Sequence, residues 1–278
     1  MTVQKGRIYG LLGSNGAGKT TLLKMMAGII RPDHGTVLID GEEVWENPKI
    51  KRRIMFLPDH VYFFPQTTIE QMAAFYESIY PSFHRERFTR LQEIFLLDPR
   101  KKIHQFSKGM QRQAAFWLAF STMPDVFVMD EPLDGLDAVV RQKVKNIIVQ
   151  EVAEREMTVV ISSHNLREME DLCDCIGILH EGEMLFEKEL DAMKTDIHKI
   201  QVAFRNGIPK QFAEQLNIVY KEQRGSVLLL IVRGKKQEIV SYIKPFQPLI
   251  FDILPLTLEE IFIYEMGDAG YAIENIIV

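Results

Sequence analysis

Residues 13–20 read GSNGAGKT, and this glycine-rich stretch decides how the rest of the chain is interpreted. It fits the pattern GxxxxGK followed by serine or threonine, and it lies between the apolar run IYGLL and the segment TTLLKMMAGII. Glycines allow consecutive backbone N–H groups to surround phosphate oxygens, and the N-terminus of the following helix adds partial positive charge. The stretch therefore predicts a phosphate-binding loop between a buried strand and a helix.

The residues of this loop have different expected contacts. Lys19 would reach the terminal phosphates of a nucleotide, and Thr20 would offer its hydroxyl to Mg²⁺. The next residue, Thr21, is included among the nucleotide-binding positions. The positions whose backbone is expected to surround the phosphates are Gly13, Ser14, Asn15, Gly16, Ala17 and Gly18.

Two acids end a second apolar run, VFVMDEP at residues 126–132. Asp130 is expected to hold Mg²⁺, and Glu131 is expected to polarise an attacking water. Such a pair is common at strand ends, but beside a phosphate loop it indicates nucleotide hydrolysis. After the next run, in ISSHN, His164 could touch the γ-phosphate and the water-activating acid. The other six histidines show no metal-ligand spacing, so no zinc site is predicted.

Composition limits the possible partners. The 278 residues are 46% apolar and 26% charged, which is typical of globular proteins. A net charge of −5 offers no general attraction for nucleic acid, and no nucleic-acid partner is expected. The two cysteines are expected to be reduced, which favours a cytosolic setting. The longest strongly apolar stretch, residues 227–232, is far shorter than the ~20 residues that span a bilayer, so no transmembrane segment is predicted.

The pattern along the chain predicts an α/β domain. The apolar runs RIYGLL, DVFVMD and MTVVISS do not alternate, which is typical of strands buried on both faces of a parallel sheet. Helical segments follow these runs. Residues from about 62 to 123 are rich in helix formers and aromatics without a convincing strand, and we interpret them as an inserted helical subdomain.

The pattern changes near residue 187 and predicts a second domain. KIQVAF, SVLLLIVRG and PLIFDILP are predicted strands, and QEIVSYIK and LTLEEIFIYEM are predicted helices. We therefore expect a small C-terminal α+β accessory domain at 191–278, for which a ferredoxin-like arrangement is one option.

Five motifs together resemble one known family. GSNGAGKT, FSKGMQRQ, VFVMDEP, LDGLD and SSHNL follow the order and rough spacing of an ABC-type ATPase domain over residues 1 to about 190. The chain resembles most the ATP-binding subunits of bacterial ABC exporters whose membrane subunits are separate chains. The resemblance implies a P-loop NTPase fold with an inserted helical subdomain, ATP hydrolysis, and ATP and Mg²⁺ as ligands.

The resemblance also implies partners. These are an integral membrane permease subunit and a second ATPase subunit, in a homodimer or a heterodimer, on the cytoplasmic face of the cell membrane. In the family, the signature loop of one subunit caps the nucleotide of the other, which implies that Ser107 and Gly109 contact the γ-phosphate across the interface. Taken alone, FSKGM could equally be a capped helix start with a basic surface. Asp137 of LDGLD is implied to contact the opposite site, although it could be the N-cap of the following helix.

Three features depart from the family or concern its partner. Asp59 stands where relatives carry a glutamine, and it could coordinate Mg²⁺ or alter the coupling to the permease. The aromatic cluster at 59–64 is predicted to contact the permease, with completion of the subdomain core as the alternative. Relatives carry further strands and an adenine-stacking aromatic upstream, which we expect to be missing because the chain starts twelve residues before Gly13. Tyr9 is expected to be a core residue.

Two other functions remain open from the sequence. A soluble ABC ATPase acting on ribosomes or DNA usually has two fused ATPase domains, a coiled-coil insert or a basic face, none of which is visible here. A small-molecule kinase built on the same glycine loop would leave FSKGM, LDGLD and SSHNL unexplained. The sequence does not indicate the transported substrate.

Overall fold

The computed structural model describes residues 1–205, 207–209, 211–261 and 264. Their contacts form two compact units. The first comprises Met1–His164 with Gly177–Phe186, and the second comprises Asn165–Ile176 with the described residues from 187 onward. The domain limits of 1–190 and 191–278 stay a prediction.

The first unit contains alternating strands and helices. It begins with β1 (Ile8–Leu12), α1 (Lys19–Met26), β2 (Leu38–Ile39), β3 (Glu42–Glu43), α2 (Pro48–Lys51) and β4 (Ile54–Leu57). It continues with α3 (Ile69–Ile79), α4 (Arg85–Phe95), α5 (Lys108–Ser121), β5 (Val126–Met129), α6 (Ala138–Arg155) and β6 (Thr158–Ser163). After α7 (Leu166–Glu170) in the second unit, the chain adds β7 (Cys175–His180) and β8 (Glu183–Glu189).

A six-stranded sheet with the order β4-β5-β6-β1-β7-β8 forms the centre of this unit. The pairs β4–β5, β5–β6 and β1–β6 are parallel, which confirms the predicted parallel sheet. All five residues of β1 are buried, because both faces of the sheet are covered. Parallel strands end at the same edge, so the glycine loop after β1 lies along one edge with Asp59, Asp130 and His164, which follow β4, β5 and β6.

The inserted segment at 62–123, which is fully described, is helical as predicted. It consists of α3, α4, α5 and a short 3₁₀ turn at Ile103–Gln105. Thr68 and Gln71 form a capping box that begins α3. Trp117 is completely buried, its ring stacks on Phe88 at 4.6 Å, and its indole Nε1 donates to the carbonyl of Phe88 at 2.7 Å. These contacts give the insert a core of its own.

The second unit is an α+β structure. Its elements are α7, α8 (Leu190–Asp196), β9 (Ile197–Ala203), β10 (Asn217–Arg224), β11 (Val227–Arg233), α9 (Lys236–Ile243) and β12 (Ile250–Leu254). The strands form an antiparallel sheet in the order β10-β11-β9-β12, around a core that includes Val202, Phe212 and Leu230. This is the strand order of a ferredoxin-like arrangement, with turns at 211–215 in place of its first helix.

Several elements were not predicted from the sequence, and these are β2, β3, α2, α7, β7, β8, α8 and β10. Of the predicted helix LTLEEIFIYEM, residues 258–261 and 264 are helical, and the other positions from 262 onward lie outside the described residues. None of the helices in the described part of the chain combines the length and apolar character that a bilayer crossing requires.

Candidate functional site

The glycine loop follows β1 directly and begins at a position where only glycine fits. A Cβ on Gly13 would lie 2.3 Å from the carbonyl oxygen of Leu179, which is less than any normal contact. At the other end of the loop, Gly18 has φ 104° and is the N-cap of α1. This left-handed conformation is available to glycine at little cost. The two glycines therefore bring the loop close to the sheet and turn it into the helix.

Lys19 lies at the centre of the loop. Its side chain is only 6% exposed, and Nζ donates to the carbonyl oxygens of Gly13 at 2.6 Å and Ser14 at 3.2 Å. The same Nζ lies 3.4 Å from Oε1 of Glu131. These backbone carbonyls hold the ammonium group at the loop. The position suits a group that must meet phosphate oxygens.

Thr20 and Asp130 are joined across the sheet edge. The hydroxyl of Thr20 donates to Oδ2 of Asp130 at 2.6 Å, and Ser162 Oγ donates to Oδ1 of the same carboxylate at 2.7 Å. Asp130 is 2% exposed. A hydroxyl next to a carboxylate is a pair of hard oxygen ligands of the kind that Mg²⁺ takes, so the residues present fit this ion. Ser162 lies inside β6, and no sequence motif indicates its role.

Glu131 and His164 are in direct contact. Oε2 of Glu131 lies 3.0 Å from Nδ1 of His164 and accepts from the backbone N–H of His164 at 3.3 Å. Oε1 of Glu131 is buried and has no hydrogen-bond partner, although Lys19 is nearby. A carboxylate that is oriented on one oxygen and leaves the other available is suited to accept a proton from water.

Backbone contacts hold Glu131 in an unusual conformation. Its φ is 43°, in the left-handed region that non-glycine residues rarely adopt. Its N–H donates to Ser162 Oγ at 3.0 Å, and its carbonyl accepts from Nη1 of Arg112 at 2.6 Å. Arg112, on α5, was not singled out from the sequence.

Asp134 adds a second carboxylate beside Glu131 and His164. One ligand atom each from Glu131, Asp134 and His164 lie within 4.8 Å of one another, which is a distance that a metal ion could bridge. The metal ligands predicted from the sequence are Thr20, Asp130 and Asp59, and Asp134 is not among them.

Asp59 is engaged by Arg112 in this structure. Its Oδ1 lies 3.0 Å from Nη2 of Arg112, and its backbone carbonyl accepts from the same nitrogen. The carboxylate is 44% exposed, so one side faces solvent. Its assignment to Mg²⁺ stays a prediction.

The signature and LDGLD residues form local contacts. Ser107 is the N-cap of α5 and accepts from the N–H of Met110 at 3.3 Å, and a Cβ on Gly109 would lie 3.1 Å from the carbonyl of Gly135. Asp137 is the N-cap of α6 and accepts from the N–H groups of Val139 and Val140 at 3.0 Å each. Both helix starts are therefore capped as the alternative interpretations expected, and the roles across an interface stay predictions.

Two aromatic residues of the 59–64 cluster are exposed. Tyr62 is 86% exposed and Phe64 is 53% exposed, so these rings do not complete the subdomain core. Phe64 contacts Phe75 of α3 edge to face at 4.9 Å between ring centroids, and Phe75 is also exposed. The insert thus presents an aromatic surface formed by Tyr62, Phe64 and Phe75. Tyr9, in contrast, is 1% exposed within β1, as expected of a core residue.

Comparisons with known proteins all indicate one family. The family model described as "ABC transporter" matches residues 1–134. The ABC transporter ATP-binding protein YtrB of Bacillus subtilis is 36% identical over 267 residues, covering 96% of this chain and 91% of that protein. The bacitracin transport ATP-binding protein BcrA of Bacillus licheniformis is 35% identical over 197 residues, covering 70% of this chain and 64% of that protein.

Solved structures agree at the level of the fold. A structure described as the ATP-binding subunit of an ABC transporter matches with a TM-score of 0.64 and 26% identity, covering 70% of this chain and 83% of that one. An ATP-binding cassette solved as a dimer with ADP and phosphate, in a post-hydrolysis state, matches with a TM-score of 0.60 and 23% identity, covering 68% and 88%.

Proposed function

The chain belongs to the family of ABC transporter ATP-binding proteins, and from this premise we propose that it hydrolyses Mg²⁺-bound ATP to drive a separate integral membrane permease. It is an ATPase, as the family is. We place it on the cytoplasmic face of the membrane, in a pair with a second ATPase subunit, and we infer export as the direction. The kinase and the soluble ribosome- or DNA-acting ATPase have no support from the relatives.

One observation carries the proposal. Hydrogen bonds and close contacts connect Lys19, Thr20, Asp130, Glu131 and His164 without interruption, through Ser162. These are the residue types that phosphate binding, metal binding and water activation require. Their convergence at one sheet edge supports a single hydrolytic site.

The roles of the residues follow from their contacts. The backbone of Gly13–Gly18 and the ammonium of Lys19 would bind the phosphates, and Thr20 and Asp130 would hold Mg²⁺. When bound, this ion neutralises phosphate charge during the transfer. Glu131 would accept a proton from water at its carboxylate, and His164 would keep that carboxylate oriented.

A second subunit would complete each site. Ser107, Gly109 and Asp137 would reach the nucleotide of the partner ATPase, and the N-terminus of α5 would direct its partial positive charge at the same phosphates. Ser107 and Lys108 are exposed at this helix start, which leaves them available to a partner. The partner is either a second copy or a related subunit.

The exposed aromatic surface is our candidate for the permease contact. Tyr62 and Phe64 stand on the loop that follows Asp59, so this contact would lie close in sequence to the catalytic edge of the sheet. Exposed aromatic groups of this kind are typical of protein interfaces.

Glu131→Gln tests the function directly. We expect ATP to bind normally while hydrolysis falls by about 10²- to 10⁴-fold, the usual effect of removing a general base. The variant should accumulate as an ATP-bound dimer, measured by gel filtration with labelled nucleotide. Glu154→Gln, at an exposed position on α6, is the matched control. Normal hydrolysis by Glu131→Gln would show that the base is another residue.

A further inference from the structure

Arg112 connects the loops that follow β4 and β5, which are neighbouring parallel strands. β4 and β5 pair in parallel with Leu57 opposite Met129. Asp59 and Glu131 each stand two residues beyond this pair, so they leave the sheet side by side. The guanidinium of Arg112 donates to the carbonyl of Glu131 through Nη1 at 2.6 Å, and Nη2 contacts both the carbonyl and Oδ1 of Asp59.

Arg112 contacts the backbone of Glu131, which has a conformation that non-glycine residues rarely adopt. A glutamate at φ 43° is disfavoured by contacts between Cβ and the backbone. Hydrogen bonds on both sides of the residue oppose this tendency, from its N–H to Ser162 and from Arg112 to its carbonyl. Because the direction of the Glu131 side chain depends on this backbone, Arg112 contributes to aiming the carboxylate.

The contact to Asp59 satisfies the charge of Arg112. The Arg112 side chain is 11% exposed, and a guanidinium at this depth needs a counter-ion and hydrogen-bond acceptors. The carboxylate of Asp59 supplies the counter-ion at 3.0 Å. A neutral side chain at position 59 would leave the charge of Arg112 without this compensation.

We propose that Arg112 is a positioning residue for Glu131 and that Asp59 is its counter-ion, so that the loop at 59–64 and the hydrolytic carboxylate are mechanically connected. The proposal rests on the role of Glu131 proposed above. A partner that contacts Tyr62 and Phe64 would then act on Glu131 through Asp59 and Arg112. This gives the aspartate at position 59 a function that does not require it to bind metal.

The test compares substitutions that remove different parts of the connection. Arg112→Met keeps an unbranched side chain that can occupy the aliphatic part of the site, but it removes the charge and the donors. Arg112→Lys keeps the charge but lacks the two-pronged geometry. Asp59→Asn removes only the charge of the counter-ion. The exposed Arg90 on α4, as Arg90→Met, is the matched control.

The full chain, together with any co-purified membrane subunit, is assayed for kcat and KM. For Arg112→Met we expect kcat to fall by about tenfold to a hundredfold, the effect of misplacing a catalytic group by roughly 1 Å. The Kd for ATP should change by less than about twofold, because the loss falls on the transition state. Arg112→Lys and Asp59→Asn should lower kcat less. The double variant Arg112→Met/Asp59→Asn should be no worse than Arg112→Met alone, because the pair acts as a unit.

Several outcomes would overturn the proposal. If Arg112→Met and Arg112→Lys lowered only thermal stability, with normal kcat for the folded protein, Arg112 would be structural. If Asp59→Asn raised the Mg²⁺ concentration needed for half-maximal rate while Arg112→Met did not, Asp59 would be a metal ligand. Glu131→Gln measured in parallel separates the two hypotheses, because normal hydrolysis by that variant would remove the proposed function itself.

Discussion

At the scale of single residues, Lys19 is the buried cation of the glycine loop. Its ammonium is buried and satisfied by two backbone carbonyls of the loop. Lys19→Ala would remove the charge and leave those carbonyls without their donor, so the loop would lose both its shape and its attraction for phosphate. We expect affinity for ATP to fall by at least about tenfold, since charged hydrogen bonds contribute roughly 1.5–3 kcal/mol each.

A nucleotide titration with a fluorescent ATP analogue measures this loss. Lys24→Ala, in the last turn of the same helix α1, is the matched control and should bind ATP normally. Unchanged affinity in Lys19→Ala would mean that the loop binds phosphate through its backbone alone.

Ser162 connects Asp130 and Glu131, because its hydroxyl hydrogen-bonds with both residues. Its hydroxyl donates to Asp130 and accepts from the N–H of Glu131, inside a completely buried strand. Ser162→Ala would leave a buried N–H without a partner at a cost of about 1–3 kcal/mol, and it would free the Asp130 carboxylate to rotate. We expect a lower kcat together with a higher Mg²⁺ requirement.

Steady-state hydrolysis at varied Mg²⁺ tests this expectation. Ser78→Ala, which alters an exposed serine of α3, provides the comparison. A variant that lost stability but kept its Mg²⁺ dependence would contradict the role we assign to Ser162.

The part of the site that could be predicted from the sequence consists of residues that belong to recognisable local motifs. Lys19, Thr20, Asp130, Glu131 and His164 belong to local patterns at strand ends, and the structure brings them together as expected. Ser162 and Arg112 have no such pattern, because a serine in a buried strand and an arginine in a helix are common everywhere. Their contacts exist only after β4, β5, β6 and α5 have packed.

At the scale of elements, the same distinction separates predicted strands from missed ones. β1, β5 and β6 are buried on both faces and carry unbroken apolar runs that are easily recognised. β10, in contrast, is an edge strand that is largely exposed and reads NIVYKEQR. Its β conformation comes from hydrogen bonds with β11, which lies far more deeply buried. The sequence signal of such a strand is therefore weak.

The loop between β4 and α3 presents exposed aromatic side chains that a partner could contact. Tyr62 and Phe64 are exposed, so replacing both with alanine removes aromatic surface without opening a cavity in the core. We expect the variant to bind ATP and to fold normally but to lose the membrane protein that co-purifies with the unaltered chain.

Purification from detergent-solubilised membranes, followed by mass identification of bound proteins, is the measurement. Leu96→Ala removes an apolar side chain that is 75% exposed elsewhere in the insert and serves as the control. Retention of the membrane subunit by the Tyr62/Phe64 variant would place the permease contact on another surface.

At the scale of the whole molecule, the chain carries two parts that are directed at nucleotide, the glycine loop around Lys19 and the loop around Ser107. The hydrogen bond of Ser107 stays within α5, whereas Lys19 and Thr20 are connected to Asp130 and Glu131. If the two parts meet only between subunits, a defect in one part of one chain can be compensated by the other chain. A mixture of two different defective chains then distinguishes this arrangement from one within a single chain.

Chains that carry Lys19→Ala or Ser107→Arg are each expected to be inactive on their own. A mixed dimer contains one site with the intact Lys19 of one chain and the intact Ser107 of the other, so mixing should restore retention of labelled ATP and single-turnover hydrolysis. In the control, the Lys19→Ala chain is mixed with a chain that carries both Lys19→Ala and Ser107→Arg. No complete site can form in this mixture, because neither chain has an intact Lys19. If mixing Lys19→Ala with Ser107→Arg restored nothing although gel filtration showed that the mixed dimer had formed, Ser107 would have to act on the nucleotide of its own subunit, since every chain in that dimer would then lack a complete site.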